Sequence, residues 1–280
     1  IVRFVSIHFD ELYTHFILMK AVNVIILILS CLVLWKIMED SETPPVIQAV
    51  VLISWALNPF VINWTTRCLE LPLQALTCWY GIYRILLNTR RNGRRASFVD
   101  GLVFGLIVLT RYESGILLVF LSIYGLFSKR WNSIYDLVLL VCGFLLVYGY
   151  HMVFMLSVFG TLLPSTAVKG GRLSLSGMEP AKHLLYFYGP FILIFIANLF
   201  KFSKMTSLKR VVSLWIIAHL GFVVFILGYS HLQRYFLVVI PFIIWFSLDS
   251  ELLSFIPRYA KKLPAGKIVA VASVVILLFG

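Results

Sequence analysis

Long apolar runs alternate with short polar or basic interruptions along the whole chain. Runs at about 13–35, 46–62, 70–88, 98–110, 114–128, 133–158, 184–200, 211–228, 235–255 and 268–280 are predominantly apolar. Runs of this length predict helices, whereas a half-buried strand or a transmembrane barrel strand alternates in period two. A hydrocarbon core of about 30 Å asks for ~17–25 apolar residues per helix. Several runs meet that length and others reach about half of it. The pattern predicts an all-α polytopic membrane protein with about ten transmembrane or half-membrane helices. The same pattern predicts a single transmembrane domain over residues 1–280.

One run is interrupted in its middle. Val99-Asp100-Gly101 opens it, Thr110-Arg111-Tyr112-Glu113-Ser114-Gly115 breaks it, and Ser128 closes it. A charge at the centre of a bilayer costs ~2.5–3.5 kcal/mol on insertion scales. Either the segment crosses once and buries an ion pair, or it turns at Arg111 and leaves the pair at a membrane surface.

Composition and charge decide between these. The chain is 61% hydrophobic and 13% charged, against about 25% charged in soluble domains. Its net charge is +12. Of 24 lysines and arginines, 16 are Lys36, Arg84 and four clusters: Arg90/Arg91/Arg94/Arg95, Lys129/Arg130, Lys201/Lys204/Lys209/Arg210 and Arg258/Lys261/Lys262/Lys267. The positive-inside rule puts those segments in the cytoplasm. A single crossing over 99–128 would carry Lys129 and Arg130 to the other side and invert every later basic loop. Two short limbs meeting at the outer surface, with a break within 109–115, satisfy the rule. The basic clusters are separated by membrane segments, so no nucleic-acid partner is expected. Cys31, Cys68, Cys78 and Cys142 lack CxxC spacing and read as packing residues.

In this orientation the unusual polar residues collect on the outer face: Asp10 and Glu11; Asn63, Thr65, Arg67 and Glu70; Arg111 and Glu113; Ser165, Thr166, Lys169 and Arg172; His231, Gln233 and Arg234. Each has a plain reading. Arg67 and Glu70 are spaced as a helix-surface ion pair. Arg111 and Glu113 could lock a turn, and His231 and Arg234 could anchor a helix at the interface. Together they suit an anionic lipid-linked substrate. Arginine and lysine bind phosphate, and a neighbouring carboxylate accepts the proton of an attacking hydroxyl.

Three stretches carry a family likeness. Cys68-Leu69-Glu70-Leu71-Pro72-Leu73, Leu109-Thr110-Arg111-Tyr112-Glu113-Ser114-Gly115, and Phe159-Gly160-Thr161-Leu162-Leu163-Pro164-Ser165-Thr166 with Lys169 resemble motifs of the GT-C superfamily. These are membrane glycosyltransferases that use polyprenyl-phosphate sugars. The likeness is nearest to the bacterial branch that includes the mycobacterial arabinofuranosyltransferases. His231-Leu232-Gln233-Arg234-Tyr235-Phe236 resembles a later motif of the same family. The chain departs from the pattern at Tyr112 (proline in the family), Ser165 (asparagine) and Arg67-Cys68 (a small-residue pair).

The resemblance implies a GT-C-like fold and an inverting glycosyltransferase of the cytoplasmic membrane, with its site on the outer face. The donor would be a polyprenyl-phosphate sugar and the acceptor a hydroxyl on a glycan, lipid or protein. Arg111, Lys169, Arg234 and His231 would bind the donor phosphate. Glu70 and Glu113 are the carboxylates available for catalysis or for positioning the sugar. The family's principal acidic residue follows its first membrane helix, and by this likeness it would lie upstream of Ile1; the chain then reads as a piece of a longer protein, cut within its last helix. No Asp-x-Asp motif occurs, so no metal or other cofactor is expected. A transporter or flippase for a lipid-linked anion, and a non-catalytic membrane scaffold, are the alternative classes.

Overall fold

The computed structural model describes residues 2–67, 70–87, 93–160, 178–227 and 233–250, with backbone alone for 2–13, 178–181, 183–184, 226–227 and 233–234. All regular structure among the described residues is helical. The helices are α1 (Val2–Asp40), α2 (Pro45–Ala56), α3 (Pro59–Thr66), α4 (Leu71–Ile82), α5 (Arg94–Thr110), α6 (Gly115–Phe127), α7 (Ile134–Phe144), α8 (Tyr150–Phe159), α9 (Met178–Leu199), α10 (Ser207–Phe222), α11 (Gln233–Leu237) and α12 (Ile240–Leu248). Wider π-turns extend α4 over Tyr83–Leu87, join α7 to α8 over Leu145–Gly149 and extend α10 over Val223–Leu227.

Helix starts follow local chemistry. Proline occupies the first turn of α2, α3, α4 and α12, where its missing N–H costs nothing and its fixed φ suits the helix. The Asn58 side chain accepts from the amides of Phe60 at 2.9 Å and Val61 at 3.3 Å, capping α3. Ser133 and Asp136 form a reciprocal capping box on α7. Gly160, at φ 66°, ends α8 in the left-handed region.

The described helices fall within the apolar runs, and the run 268–280 lies outside the described residues; of the expected ten or so transmembrane or half-membrane helices, few are full spans. Among the described residues, three helical stretches are long and apolar enough to cross a membrane: Thr14–Asp40, Ile134–Phe159 and Ser207–Phe225. The α2–α3 pair, bent by 47°, makes a fourth if counted as one broken span. Length is the reason. α5 has 17 residues and α6 has 13, so at ~1.5 Å per residue they reach about 26 and 20 Å, short of a 30 Å core. The longest stretches are also the most open: only 11% of the Thr14–Asp40 window and 6% of the Ile134–Phe159 window is buried. Leu18, Ile25, Leu146 and Val153 are among their exposed apolar side chains, as expected of surfaces turned to lipid.

Short helices are held by close packing and by charge. Gly101 of α5 and Gly143 of α7 lie against each other, and Gly105 of α5 meets Val147 and the Phe144 carbonyl. A Cβ at Gly101 would run into the Leu140 carbonyl, and one at Gly143 into that of Phe98. Small residues of this kind let membrane helices approach backbone to backbone. At the start of α5, buried Asp100 accepts from three donors. Arg84 Nε lies 2.5 Å away, Arg130 Nε 2.8 Å and Trp131 Nε1 3.2 Å. Lys129, at φ 55°, turns the chain after α6; the Arg130 amide donates to the Gly125 carbonyl, and the Arg130 side chain reaches Asp100. One aspartate thus ties the ends of α4 and α6 to the start of α5. An aromatic chain, Trp55–Trp79–Phe242–Trp215, joins α2, α4, α12 and α10 with edge-on ring contacts 4.9–6.0 Å between centroids.

Candidate functional site

At the far ends of α4, α5 and α6 from Asp100, the chain breaks where the sequence predicts. α5 stops at Thr110, and Arg111 is extended at φ −160° and ψ 129°. A single 3-10 turn over Tyr112–Ser114 leads into α6. The charges at the break match the helix dipoles. Arg111 sits at the C-terminus of α5. Glu70 caps the N-terminus of α4, and Glu113 lies one residue before the cap of α6. A cation at a helix C-terminus and anions at N-termini are each favourable.

The three side chains form one cluster. Arg111 Nε pairs with Glu113 Oε1, and Arg111 Nη1 with Glu70 Oε1. The guanidinium also lies 4.2 Å from the ring centre of Tyr235 on α11, a cation–π contact. Their side-chain exposures differ: 8% for Arg111, 0% for Glu113 and 35% for Glu70. Glu113 is therefore the buried anchor, and Glu70 is the carboxylate that reaches the surface.

A polar shell surrounds the cluster. Gln74, four residues after Glu70 on α4, donates from Nε2 to Ser114 Oγ at 3.0 Å. Thr77 and Thr110 hydroxyls lie 3.4 Å apart. His219 of α10 lies with Nε2 2.9 Å from the Tyr235 carbonyl. Glu113 Oε2, Gln74 Oε1 and His219 Nδ1 are buried without a hydrogen-bond partner. Unsatisfied buried groups of this kind are uncommon in folded proteins, and here three fall in one region.

The sequence-derived site is thus brought together in part. Arg111, Glu113 and Glu70 converge although Glu70 is 41 residues from Arg111. Ser165, Thr166, Lys169, Arg172 and His231 lie outside the described residues, and Asp10, Glu11 and Gln233 are described through their backbone alone. Arg234 is described through its backbone alone, which puts it in α11 beside Tyr235. Glu70 pairs with Arg111, while the Arg67 guanidinium sits 5.8 Å from the Trp64 ring centre. Three shell members, Gln74, His219 and Tyr235, escape sequence reading as site residues. His219 had a signal: it is the only titratable side chain within the apolar run 211–228.

Fold and cluster together define an all-helical membrane protein with a buried arginine held between two glutamates at a helix break. Comparison with protein-family models, curated proteins and solved structures gives no match.

Proposed function

We propose that the Arg111 cluster is part of the active site of an inverting membrane glycosyltransferase. It moves a sugar from a polyprenyl phosphate to a hydroxyl acceptor at the outer face of the cytoplasmic membrane. The observation that carries this reading is the paired, mostly buried Arg111 bridging an anchored and a surface-reaching glutamate.

In the reaction the acceptor oxygen attacks the anomeric carbon on the side opposite the phosphate. The bond from that carbon to the phosphate oxygen breaks, and its electron pair leaves with the polyprenyl phosphate. The acceptor proton passes to a carboxylate. Among the described residues Glu70 is the carboxylate at the surface of the cluster, so it takes this role or holds the sugar. Glu113 fixes Arg111 from below. Two glutamates occupy the arginine fork, which gives Arg111 a share in positioning them. Lys169, His231 and Arg234 then supply the further cationic groups for the donor phosphate.

Transfer from a polyprenyl-phosphate sugar in membranes tests the reading. Glu70→Gln keeps the shape and is expected to lower kcat about 100-fold, the size of a general-base contribution, with the melting temperature near that of the parent. Parental turnover in Glu70→Gln would leave the cluster as a structural lock. Orientation has its own check. In a cysteine-free background, an impermeant thiol reagent added outside should label Tyr112→Cys and leave Gly93→Cys untouched. The opposite pattern would put the cluster on the cytoplasmic side.

A further inference from the structure

A second helix break lies against the Arg111 cluster, between α11 and α12. α11 has five residues, Gln233–Leu237, too few to hold a helix by themselves. The break shows in the backbone. In a continuous helix the Val239 amide would reach the Tyr235 carbonyl, but it donates to the Phe236 carbonyl at 3.1 Å. The Phe242 amide would reach the Val238 carbonyl, but it donates to that of Val239 at 3.1 Å. Pro241, in the first turn of α12, has no N–H to offer. The carbonyls of Tyr235 and Val238 are thus released from the helix ladder, in a stretch buried from Tyr235 to Ser247. Buried carbonyls need partners.

Side chains of two other helices supply them. Trp79 of α4 donates from Nε1 to the Val238 carbonyl at 3.1 Å. His219 of α10 has Nε2 2.9 Å from the Tyr235 carbonyl. A carbonyl only accepts, so Nε2 carries a proton and donates. His219 is 0% exposed, and its Nδ1 has no partner. Burying an imidazole is unfavourable unless it is hydrogen-bonded, and the bond to Tyr235 is what offsets that cost. Tyr235 is also the residue whose ring lies 4.2 Å from the Arg111 guanidinium. One residue therefore meets His219 through its carbonyl and Arg111 through its ring.

We propose that His219 is a positioning residue for the Arg111 cluster. By holding the Tyr235 carbonyl it sets the ring against Arg111, and so fixes the plane in which the guanidinium spans Glu70 and Glu113. Trp79 holds the other side of the break at Val238. Without His219 the short α11 turns about Val238 and carries Tyr235 away from Arg111. The effect on turnover rests on the glycosyltransferase reading, whereas the stacking of Tyr235 on Arg111 does not.

NMR of the full chain in micelles, with only arginine labelled with nitrogen-15, reads the stacking. The Arg111 Nε–H signal is the one missing in Arg111→Lys, and the Tyr235 ring current shifts it upfield. Tyr235→Leu gives its unstacked position. His219→Leu and His219→Asn are expected to move the signal most of the way to that position, since an asparagine amide stops at the place of Nδ1. His219→Gln offers an N–H at the place of Nε2 and should return the signal toward the parent. In sugar transfer from a polyprenyl phosphate, His219→Leu should lower kcat about tenfold with KM changed less than about twofold, and His219→Gln should recover most of the loss. A parental signal in the leucine or asparagine variant would overturn the positioning role. So would an equal displacement in the glutamine variant, or collapse of all arginine signals in both the leucine and asparagine variants. A displaced signal with parental kcat would support the hold on Arg111 and overturn the catalytic reading of the cluster.

Discussion

Asp100→Ala is expected to destabilise the protein by about 3–5 kcal/mol, the cost of stranding a buried charge. Asp100 is 1% exposed and its partners Arg84 and Arg130 are each 4% exposed in their side chains. Removing the carboxylate leaves two guanidinium groups facing each other with no anion between them. Arg84 keeps only its bond to the Ala96 carbonyl at 3.1 Å among those that tie it to α5. Thermal unfolding in detergent micelles measures the effect. A triple variant, Asp100→Ala with Arg84→Met and Arg130→Met, should recover much of the loss, because it removes the charges together and fills their space. An unchanged melting temperature in the single variant would mean that the aspartate does not hold the hairpin.

Arg111→Ala is expected to fail twice, in stability and in turnover. Glu113 has a fully buried side chain, and without Arg111 its charge has no counterpart, again a loss of about 3–5 kcal/mol. Glu70 loses its hold on the same group and the Tyr235 ring loses its cation. Arg111→Lys should rescue only part of the turnover, since an ammonium cannot span two carboxylates in one plane. Arg111→Ala/Glu113→Gln separates the two effects. It removes the orphaned charge and should restore the melting temperature while sugar transfer stays at least about 100-fold down. Restored transfer in that double variant would reduce the arginine to a scaffold role.

The break at Arg111 was legible because its cost was legible. Two charges inside an apolar run, with Lys129 and Arg130 following, leave a turn as the cheaper arrangement, and α5 does end at Thr110. The pairing of Glu70 with Arg111 instead of an in-helix partner was less visible. Spacing of three residues favours Arg67, and only the antiparallel meeting of α4 and α5 brings Arg111 nearer. Which of the ten or so expected helices are full spans was not legible, because hydropathy marks an apolar stretch without saying whether lipid or protein surrounds it. Trp79, Trp215 and Phe242 are all fully buried, so apolar segments such as α4 and α12 serve an interior as much as a membrane. His219 was hidden by the opposite effect, since one imidazole among so many aliphatic residues looks like packing until Tyr235 is seen beside it.

The order in which the chain leaves a ribosome gives the Asp100 tie a meaning for assembly. α5 emerges carrying Asp100 in its first half and Arg111 just past its end; one arginine of the Asp100 tie, Arg84, comes 16 residues earlier, and the other, Arg130, follows 30 residues later. The backbone that covers the Gly101 face, at Leu140, comes later still. A lone α5 is thus a poor substrate for lateral release into lipid, whereas the stretch from Arg84 through Trp131 carries both counter-charges of Asp100.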